Sequence, residues 1–594
     1  MKNLFILSIA VFCYMINADC LFSQTTFTKI TTGPIVNDAG ISFGCAWGDY
    51  DSDGKPDLFI GNMSSAPGER SFLYHNEGNG VFTKVTAGSI VLDSGNTFGG
   101  SWGDYDNDGN PDLYVANTNN QLNFMYHNNG GGNFTRVTSG AIVTDVGNSN
   151  ACCWVDYNND NYIDMCVTNY GQRRFLYSNN GDGTFTKIIT GIFVNEVSPS
   201  ISTSWGDYNN DGRPDAFTAN AGTVAWPNFF FKNDGAGIFT KVTDLNIAMD
   251  TGKSFSSSWG DYNNDGFADL FVTNTELRNS YLYKNNGNGT FTRILDGSVA
   301  TEGSYCVTGI WEDFNNDGWL DLFVTRWQNL NDLLYFNNGD GTFTKITAGD
   351  IVNDHGNSFG TGTADYDNDG DADLVVANIN NENNFLYQNN ATSENTNKWI
   401  NIKCEGTISN RSAIGARVMV KANINGAPVW QMRDITGQMG YNSQNDLRAH
   451  FGLGSAFVID SIKILWPSGS VNSFTNIAVN EFVTITENTG VTAIVEKKTE
   501  LVKGFELKQN YPNPFNPVTN LEFGIADLGF VTLKVYDMHG KEVATIVNSV
   551  LTPGEYKYKF DGSGYASGIY FYKLKIRSND VNEFSETKKM ILVK

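Results

Sequence analysis

The stretch "WGDYDNDGNPDL", residues 102–113, places Asp104, Asp106, Asp108 and Asp112 at positions 1, 3, 5 and 9 of a loop whose sixth residue is Gly109. Four like charges this close repel one another in a helix or a strand, so the chemistry that suits the spacing is the wrapping of a hard cation. Alternate residues of a tight coil turn their oxygens inward, position 7 offers a backbone carbonyl, and glycine at position 6 permits a φ > 0 turn. An all-oxygen, carboxylate-rich set selects Ca²⁺ over zinc or copper, which favour nitrogen and sulfur. No histidine stands in the loop.

The same words return six more times. The metal-ligating candidates are Asp49, Asp51, Asp53 and Asp57 in the first copy, and Asp104, Asp106, Asp108 and Asp112 in the second. Copies three and four offer Asp156, Asn158, Asp160 and Asp164, then Asp207, Asn209, Asp211 and Asp215. Copies five to seven offer Asp261, Asn263, Asp265 and Asp269, then Asp313, Asn315, Asp317 and Asp321, then Asp365, Asp367, Asp369 and Asp373. The steps between first aspartates are 55, 52, 51, 54, 52 and 52 residues, the mark of a repeat architecture. Seven copies in register argue against plain Asx turns. The loops resemble the first nine positions of an EF-hand but lack its Glu at position 12 and its flanking helices, so weaker and more rigid sites of extracellular type are expected, up to seven Ca²⁺ per chain. Copy three, where Asn161 replaces the glycine, is expected to be the weakest.

These residues resemble the FG-GAP/VCBS repeats of integrin-α-like β-propellers, over roughly residues 25 to 390, in which such a loop joins the first two strands of each blade. Each period reads as four short strands: "SFGGSW"-like, "PDLYVAN", "NFMYHNN" and "NFTRVTS", with Gly/Asn turns between. The seventh unit stops at "NFLYQNN" without a fourth strand, and "TTFTKI" at 25–30 supplies the missing one. A circular closure uses both and removes an exposed edge. Seven blades follow.

Downstream, "NRSAIGARVMVKA", "GYNSQNDLRAHFGLG" and "ILWPSG" resemble the ASPIC/UnbV module, a small β-domain. "NYPNPFNPVTNLEF", "KVYDMHGKEV" and "GYASGIYFYKLK" resemble the C-terminal sorting domain of the type IX secretion pathway, a β-sandwich. That resemblance implies export by the type IX machinery to the outer-membrane surface or the medium of a diderm bacterium. Lys2 and the apolar run Leu4 to Ile16 have the shape of a signal peptide, too short for a spanning helix, and no later run is long enough for one. The expected fold is all-β. A signal peptide (1–23) precedes a seven-bladed β-propeller (24–395), a small β-domain (396–488), a linker (489–504) and the C-terminal β-sandwich (505–594).

A net charge of −24 excludes nucleic acid as the natural partner. Its source is local: the loops hold 24 carboxylates, and seven divalent cations, 14 positive charges, would bring the net to −10. The eight cysteines are not read as a disulfide framework, since Cys45, Cys152 and Cys306 occupy slots that hold small residues in other copies. A bridge from Cys152 or Cys153 to Cys166 is the main exception expected. "GISFG" and "GNSFG" match G-x-S-x-G, but they recur as a blade element with no helix after them, unlike a hydrolase elbow. Trp47, Trp102, Trp154, Trp205, Trp259 and Trp311 precede the loops and are expected in blade packing, while His75 and His127 share a slot with Ser178 and Lys284 and are not expected to be ligands.

A ligand site should use positions where the copies differ. Five residues past the last loop aspartate stand six asparagines and, in copy six, Arg326; nearby departures are Trp327, Arg173, Arg174 and Trp226. They fall opposite the metal loops, on the face that carries ligands in integrin-like propellers, an analogy of fold. The expected function is a secreted or cell-surface calcium-binding adhesion or ligand-binding protein without catalytic residues, its partner an extracellular protein or glycan. The alternative is a carbohydrate-active propeller, lectin or polysaccharide lyase. Nearly every clustered carboxylate belongs to a metal loop, which leaves no pair for acid/base work.

Overall fold

The structure, a computed structural model, describes residues 27–63, 70–488, 491–493, 505–525, 529–551, 554–578 and 584–594. The expected signal peptide and most of the linker lie outside these residues. Each copy folds as a four-stranded antiparallel sheet. In the second, Thr97–Gly103, Asp112–Asn117, Phe124–Asn128 and Phe134–Arg136 lie in that order. Thr97–Gly103 is rich in Gly and Ser because seven such strands converge on one axis, where larger side chains would collide. Asp112–Asn117, the next strand, is buried along its whole length between neighbouring sheets.

The ring closes as the two chain ends require. Phe27–Lys29 pairs with Phe385–Asn389, Phe27 opposite Asn389, and so becomes the fourth strand of the seventh sheet. Inner strands neighbour one another around the circle, Ser42–Gly48 lying beside both Thr97–Gly103 and Ser358–Ala364. Two side-chain devices repeat at the joints. The indole nitrogen of Trp102 donates to the carbonyl of Ala46 in the previous blade, that of Trp154 to Ser101, and that of Trp47 to Gly362 across the closure. An asparagine ending each third strand likewise reaches the previous copy's loop, Asn128 to the carbonyl of Tyr50 and Asn76 to that of Tyr366. The tryptophans are therefore blade cement, buried as expected.

Each blade also contains one helical turn, such as Ser89–Leu92, entered through Gly88 at φ 94°. One turn is too short to leave a 3.6-residue period. It buries two apolar residues, Ile90 and Val91 in this blade. The expected bridge to Cys166 does not form: Cys152, Cys153 and Cys166 are free and buried among apolar side chains, although Cys153 and Cys166 sit opposite each other on adjacent strands.

Two further β-units follow. Lys398–Glu405, Ala449–Gly454, Glu481–Thr486 and Val491–Ala493 form one sheet, and Arg417–Ile424, Ala427–Asp434, Ile459–Leu465 and Val471–Ile477 another. Their shared core, with Ile400, Val418 and Ile462, runs on into that of the second and third blades through Tyr105, Trp154 and Met165. The last unit stacks a three-stranded sheet on a four-stranded one around Leu521, Phe523, Leu533 and Tyr572.

Residues 437–446 leave the middle unit and enter the propeller's axis. Ser443–Gln444 pairs in parallel with the inner strand at Cys45 and Ala46. The Gln444 side chain exchanges two hydrogen bonds with the Trp102 backbone, accepting at 2.6 Å and donating at 2.9 Å, and the Ser101 hydroxyl donates to the Gly437 carbonyl at 2.7 Å. Tyr441 reaches furthest from the loops, into an apolar collar of Ile201, Val307 and Phe359 with Phe43 and Phe255 against it. The axis is filled.

Candidate metal centres

The seven acidic loops share one coil. In copy two, Asp104 accepts the backbone N–H of Asp108 at 3.0 Å and of Gly109 at 2.7 Å, so its carboxylate caps the turn from inside. The same pair of bonds recurs on Asp49, Asp156, Asp207, Asp261, Asp313 and Asp365. Position 9 anchors the loop to its sheet: Asp112 accepts the N–H of Tyr105 at 3.1 Å and of Asn128 at 2.8 Å. Copy three keeps the coil, with Asn161 in the glycine's place at φ 73° donating its N–H to Asp156.

This folding brings the predicted ligands together. One carboxylate oxygen from each of Asp104, Asp106 and Asp112 lies within 4.8 Å of the others, as do those of Asp49, Asp51 and Asp57 and of Asp156, Asp160 and Asp164. Burial pushes these carboxyls up, Asp57 and Asp104 to about 7, Asp215 to about 8 and Asp112 to about 9, with Asp164, Asp269, Asp321 and Asp373 well above the usual range. Asp164 Oδ2, Asp215 Oδ2 and Asp367 Oδ1 are buried with no hydrogen-bond partner. Buried acceptor oxygens without donors, in a cage of carboxylates, fit a hard cation.

The third-strand slot that holds His75 and His127 faces the loops. His75 Nδ1 lies 3.2 Å from Asp57 and 3.5 Å from Asp51, and its hydrogen bond to Asp57 lifts it to about 9. His127 sits likewise 3.2 Å from Asp112 and 3.3 Å from Asp106. In copy seven Gln388 fills the slot and donates to Asp367 at 2.6 Å. The available signal was that the slot holds a polar side chain in six copies, with Phe336 in copy six.

The second unit reaches part of the loop face. Arg417 donates Nη2 to the carbonyl of Asp207 at 3.3 Å and Nη1 to the Asn210 side chain, while Asp434 holds its other edge. Arg448 repeats this on the last loop, reaching the carbonyl of Asp365 at 2.8 Å and Asn368 Oδ1 at 2.7 Å, held by Asp446. His450 meets Glu312 at 3.1 Å, a buried pair in which each partner favours the other's charged form against the penalty of burial. Glu312 was legible as an anomaly, since the residue before the loop is small in the other copies.

The predicted ligand residues separate. Arg174 is a correction: it is 1% exposed, its guanidinium packed on Phe193, Phe229 and Phe231 and bonded to the Phe193 carbonyl at 2.9 Å, so it braces two blades. Arg326 replaces an asparagine whose side chain ties down the following turn, as Asn117 donates to the Leu122 carbonyl; Arg326 Nε makes the same tie to Asn331 at 2.5 Å. Its departure from the repeat is therefore structural. Trp327 is half-buried and donates to Thr275 at 3.0 Å. Arg173 and Trp226 are exposed. Tyr170, 39% exposed, pairs with Pro199, which flanks Gly222 together with the Trp226 indole, and Arg173 pairs with the exposed Val197.

Comparison with known proteins adds three family matches. The FG-GAP-like repeat matches residues 49–115, 104–167, 156–218, 207–272, 261–324 and 313–376. ASPIC and UnbV matches residues 406–492, and the secretion system C-terminal sorting domain matches residues 509–593. Similar whole proteins include cartilage acidic protein 1 of Mus musculus, 24% identical over 504 residues covering 77% of this chain and 75% of that protein. The Homo sapiens protein of the same name is 24% identical over 521 residues, covering 79% and 75%. Among solved structures, BBS1N in complex with ARL6DN is similar at a TM-score of 0.40 and 10% identity, over 61% of this chain and 97% of that one. The extracellular domain of the hybrid two component system BT4673 from B. thetaiotaomicron gives 0.38 and 10%, over 96% and 60%. Among the described residues no helix is long and apolar enough to cross a membrane.

Proposed function

From the premise that this chain belongs to the FG-GAP-like repeat family, we propose that its loops hold Ca²⁺, up to seven per chain, and that the loaded propeller is an adhesion or ligand-binding protein without catalytic turnover. The sorting domain makes it a secreted or cell-surface protein of a Bacteroidetes-type diderm. One observation carries the calcium reading: the same coil is built in all seven copies, carboxylate oxygens of the first three copies converge within 4.8 Å, and in three copies a buried carboxylate oxygen has no donor. Bound Ca²⁺ would supply the charge and the coordination those oxygens lack; it would be held by the position 1, 3, 5 and 9 side chains of each loop. Elemental analysis of the purified chain should find up to seven Ca²⁺, and fewer than about four would overturn the reading.

The ligand surface is assigned to the exposed patch of Tyr170, Arg173 and Trp226, since Arg174 and Arg326 serve the blades. Arg and Trp are types that dominate binding energy. In a screen against glycans and extracellular-matrix proteins, Trp226→Ala and Arg173→Ala should each weaken binding by about 1 to 3 kcal/mol without lowering calcium uptake. Cleavage of a polysaccharide by the purified chain would instead support the carbohydrate-active alternative. For export, truncation before Phe505 should leave the chain in the periplasm, and equal surface display would remove the sorting role.

A further inference from the structure

The middle unit touches the propeller in two ways. Inside the axis, residues 437–446 lie so close that a Cβ on Gly44 would stand 2.4 Å from the Asn442 carbonyl oxygen, and one on Gly99 2.7 Å from the Asn442 Cβ. At Gly360 a Cβ would stand 2.7 Å from the Gly44 Cα and 2.8 Å from the Phe43 carbonyl oxygen of the neighbouring inner strand, with the Ser443 hydroxyl at 3.3 Å. The corresponding residues of the other four blades are Ala151, Ser202, Ser256 and Thr308. Glycine thus occupies the slot in three successive blades, seven, one and two, on the side where the inserted backbone lies. The inner strands are cut to this segment.

On the loop face, Arg417 and Arg448 make the same two-pronged contact with loops four and seven. Each bonds the backbone carbonyl of position 1 and the side chain of the position-4 asparagine. Neither arginine takes a carboxylate of the loop it grips, so both read the coil's conformation. The gripped asparagines stand at φ 57° and 58°, in the left-handed region that position 4 adopts in every copy. Position-4 asparagines also pass the constraint along the ring: Asn159 donates to the Gly212 carbonyl at 2.7 Å, Asn210 to Gly266 at 2.9 Å and Asn264 to Gly318 at 2.9 Å.

We propose that the ASPIC/UnbV module is an intramolecular latch: cation loading closes loops four and seven into the shape that Arg417 and Arg448 grip, and this grip holds residues 437–446 in the axis. The inference rests on the calcium reading above. An empty loop is a coil of crowded carboxylates free to spread, and a filled one is held in the gripped conformation, so the two events share a free energy. By linkage the grip must then raise calcium affinity as much as calcium strengthens the grip. That gives a test in which simple electrostatics predicts the opposite sign.

In the full chain, R417M/R448M removes two cations beside acidic loops, which by charge alone would tighten calcium binding. The latch predicts that two sites bind calcium about five-fold or more weakly by calorimetry. R417K/R448K keeps the charge, loses the fork, and is expected to weaken the same sites. In the unsubstituted chain, amide hydrogen exchange across 437–446 should be about tenfold faster in EDTA than in calcium. Unchanged or tighter calcium binding in both double variants, or protection of 437–446 that ignores calcium while the chain binds it, would overturn the latch and leave the calcium reading standing. A chain that binds no calcium would overturn both. If the methionine pair fails to fold, the lysine pair and the exchange measurement still decide.

Discussion

The two faces of the propeller follow opposite rules. On the loop face the seven copies are nearly identical, every loop is the same coil, and the chain's own second unit reaches the loops through Arg417, Arg448 and His450. On the opposite face the copies diverge, and Tyr170, Arg173 and Trp226 remain exposed. Repetition therefore marks what every blade needs. Departure marks two different things, since Arg174 and Arg326 depart from the repeat only to brace blades or tie down a turn.

The largest effect expected from breaking this contrast is on the loop face. At millimolar Ca²⁺ and dissociation constants of about 10⁻⁴ to 10⁻³ M, seven sites would supply about 3 to 10 kcal/mol, comparable with the stability of a domain. Chelation should lower the melting temperature sharply, and an unchanged melt in EDTA would remove calcium from the fold. Nothing comparable should follow from Trp226→Ala, whose effect on stability is expected within about 0.5 kcal/mol.

A pH series in EDTA sharpens the same point. Burial raises Asp57 and Asp104 from 3.8 to about 7 and Asp215 to about 8. Between those values the folded, calcium-free chain holds more protons than the unfolded one, so stability from these groups is present in acid and is lost as pH rises through about 7. Calcium-free protein should melt higher at pH 5.5 than at pH 8, and saturating calcium should flatten the difference. A melt that rises with pH in EDTA would show that the carboxylates are not held as the structure places them.

Smaller effects probe the filled axis and the weakest loop. Gly44→Val forces a side chain against Asn442 and should destabilise by about 1 to 3 kcal/mol, read by denaturant titration. Asn161→Gly relieves a non-glycine residue at φ 73° and should tighten calcium binding in copy three by a modest factor, seen in calorimetry. Arg326→Asn, the smallest, restores the repeat's own residue and should leave both stability and ligand binding nearly unchanged. A large loss of ligand binding in that variant would return Arg326 to the ligand surface.

Much of this was legible because it is local. The period, the loop spacing and the missing fourth strand each follow from residues near in sequence, and the pairing of Phe27–Lys29 with Phe385–Asn389 closes the ring that the two incomplete ends required. That His75 and His127 face the loops was not legible, because their slot lies 18 and 15 residues beyond Asp57 and Asp112, on a strand whose register only the folded sheet defines. The free state of Cys153 and Cys166 was decided by packing, since adjacent strands bring the two residues opposite each other without joining them.

The sequence by itself determined a repeated, acidic, oxygen-rich loop on an all-β ring and the route by which the chain is sorted, because each is written in short-range patterns. Only the tertiary structure decided that residues 437–446 fill the axis, that Arg417 and Arg448 grip loops four and seven, and that Arg174 is buried. These are contacts between residues as much as 342 positions apart, as Gln444 is from Trp102, and no periodicity or spacing encodes which distant backbone a glycine such as Gly44 has been left small to admit.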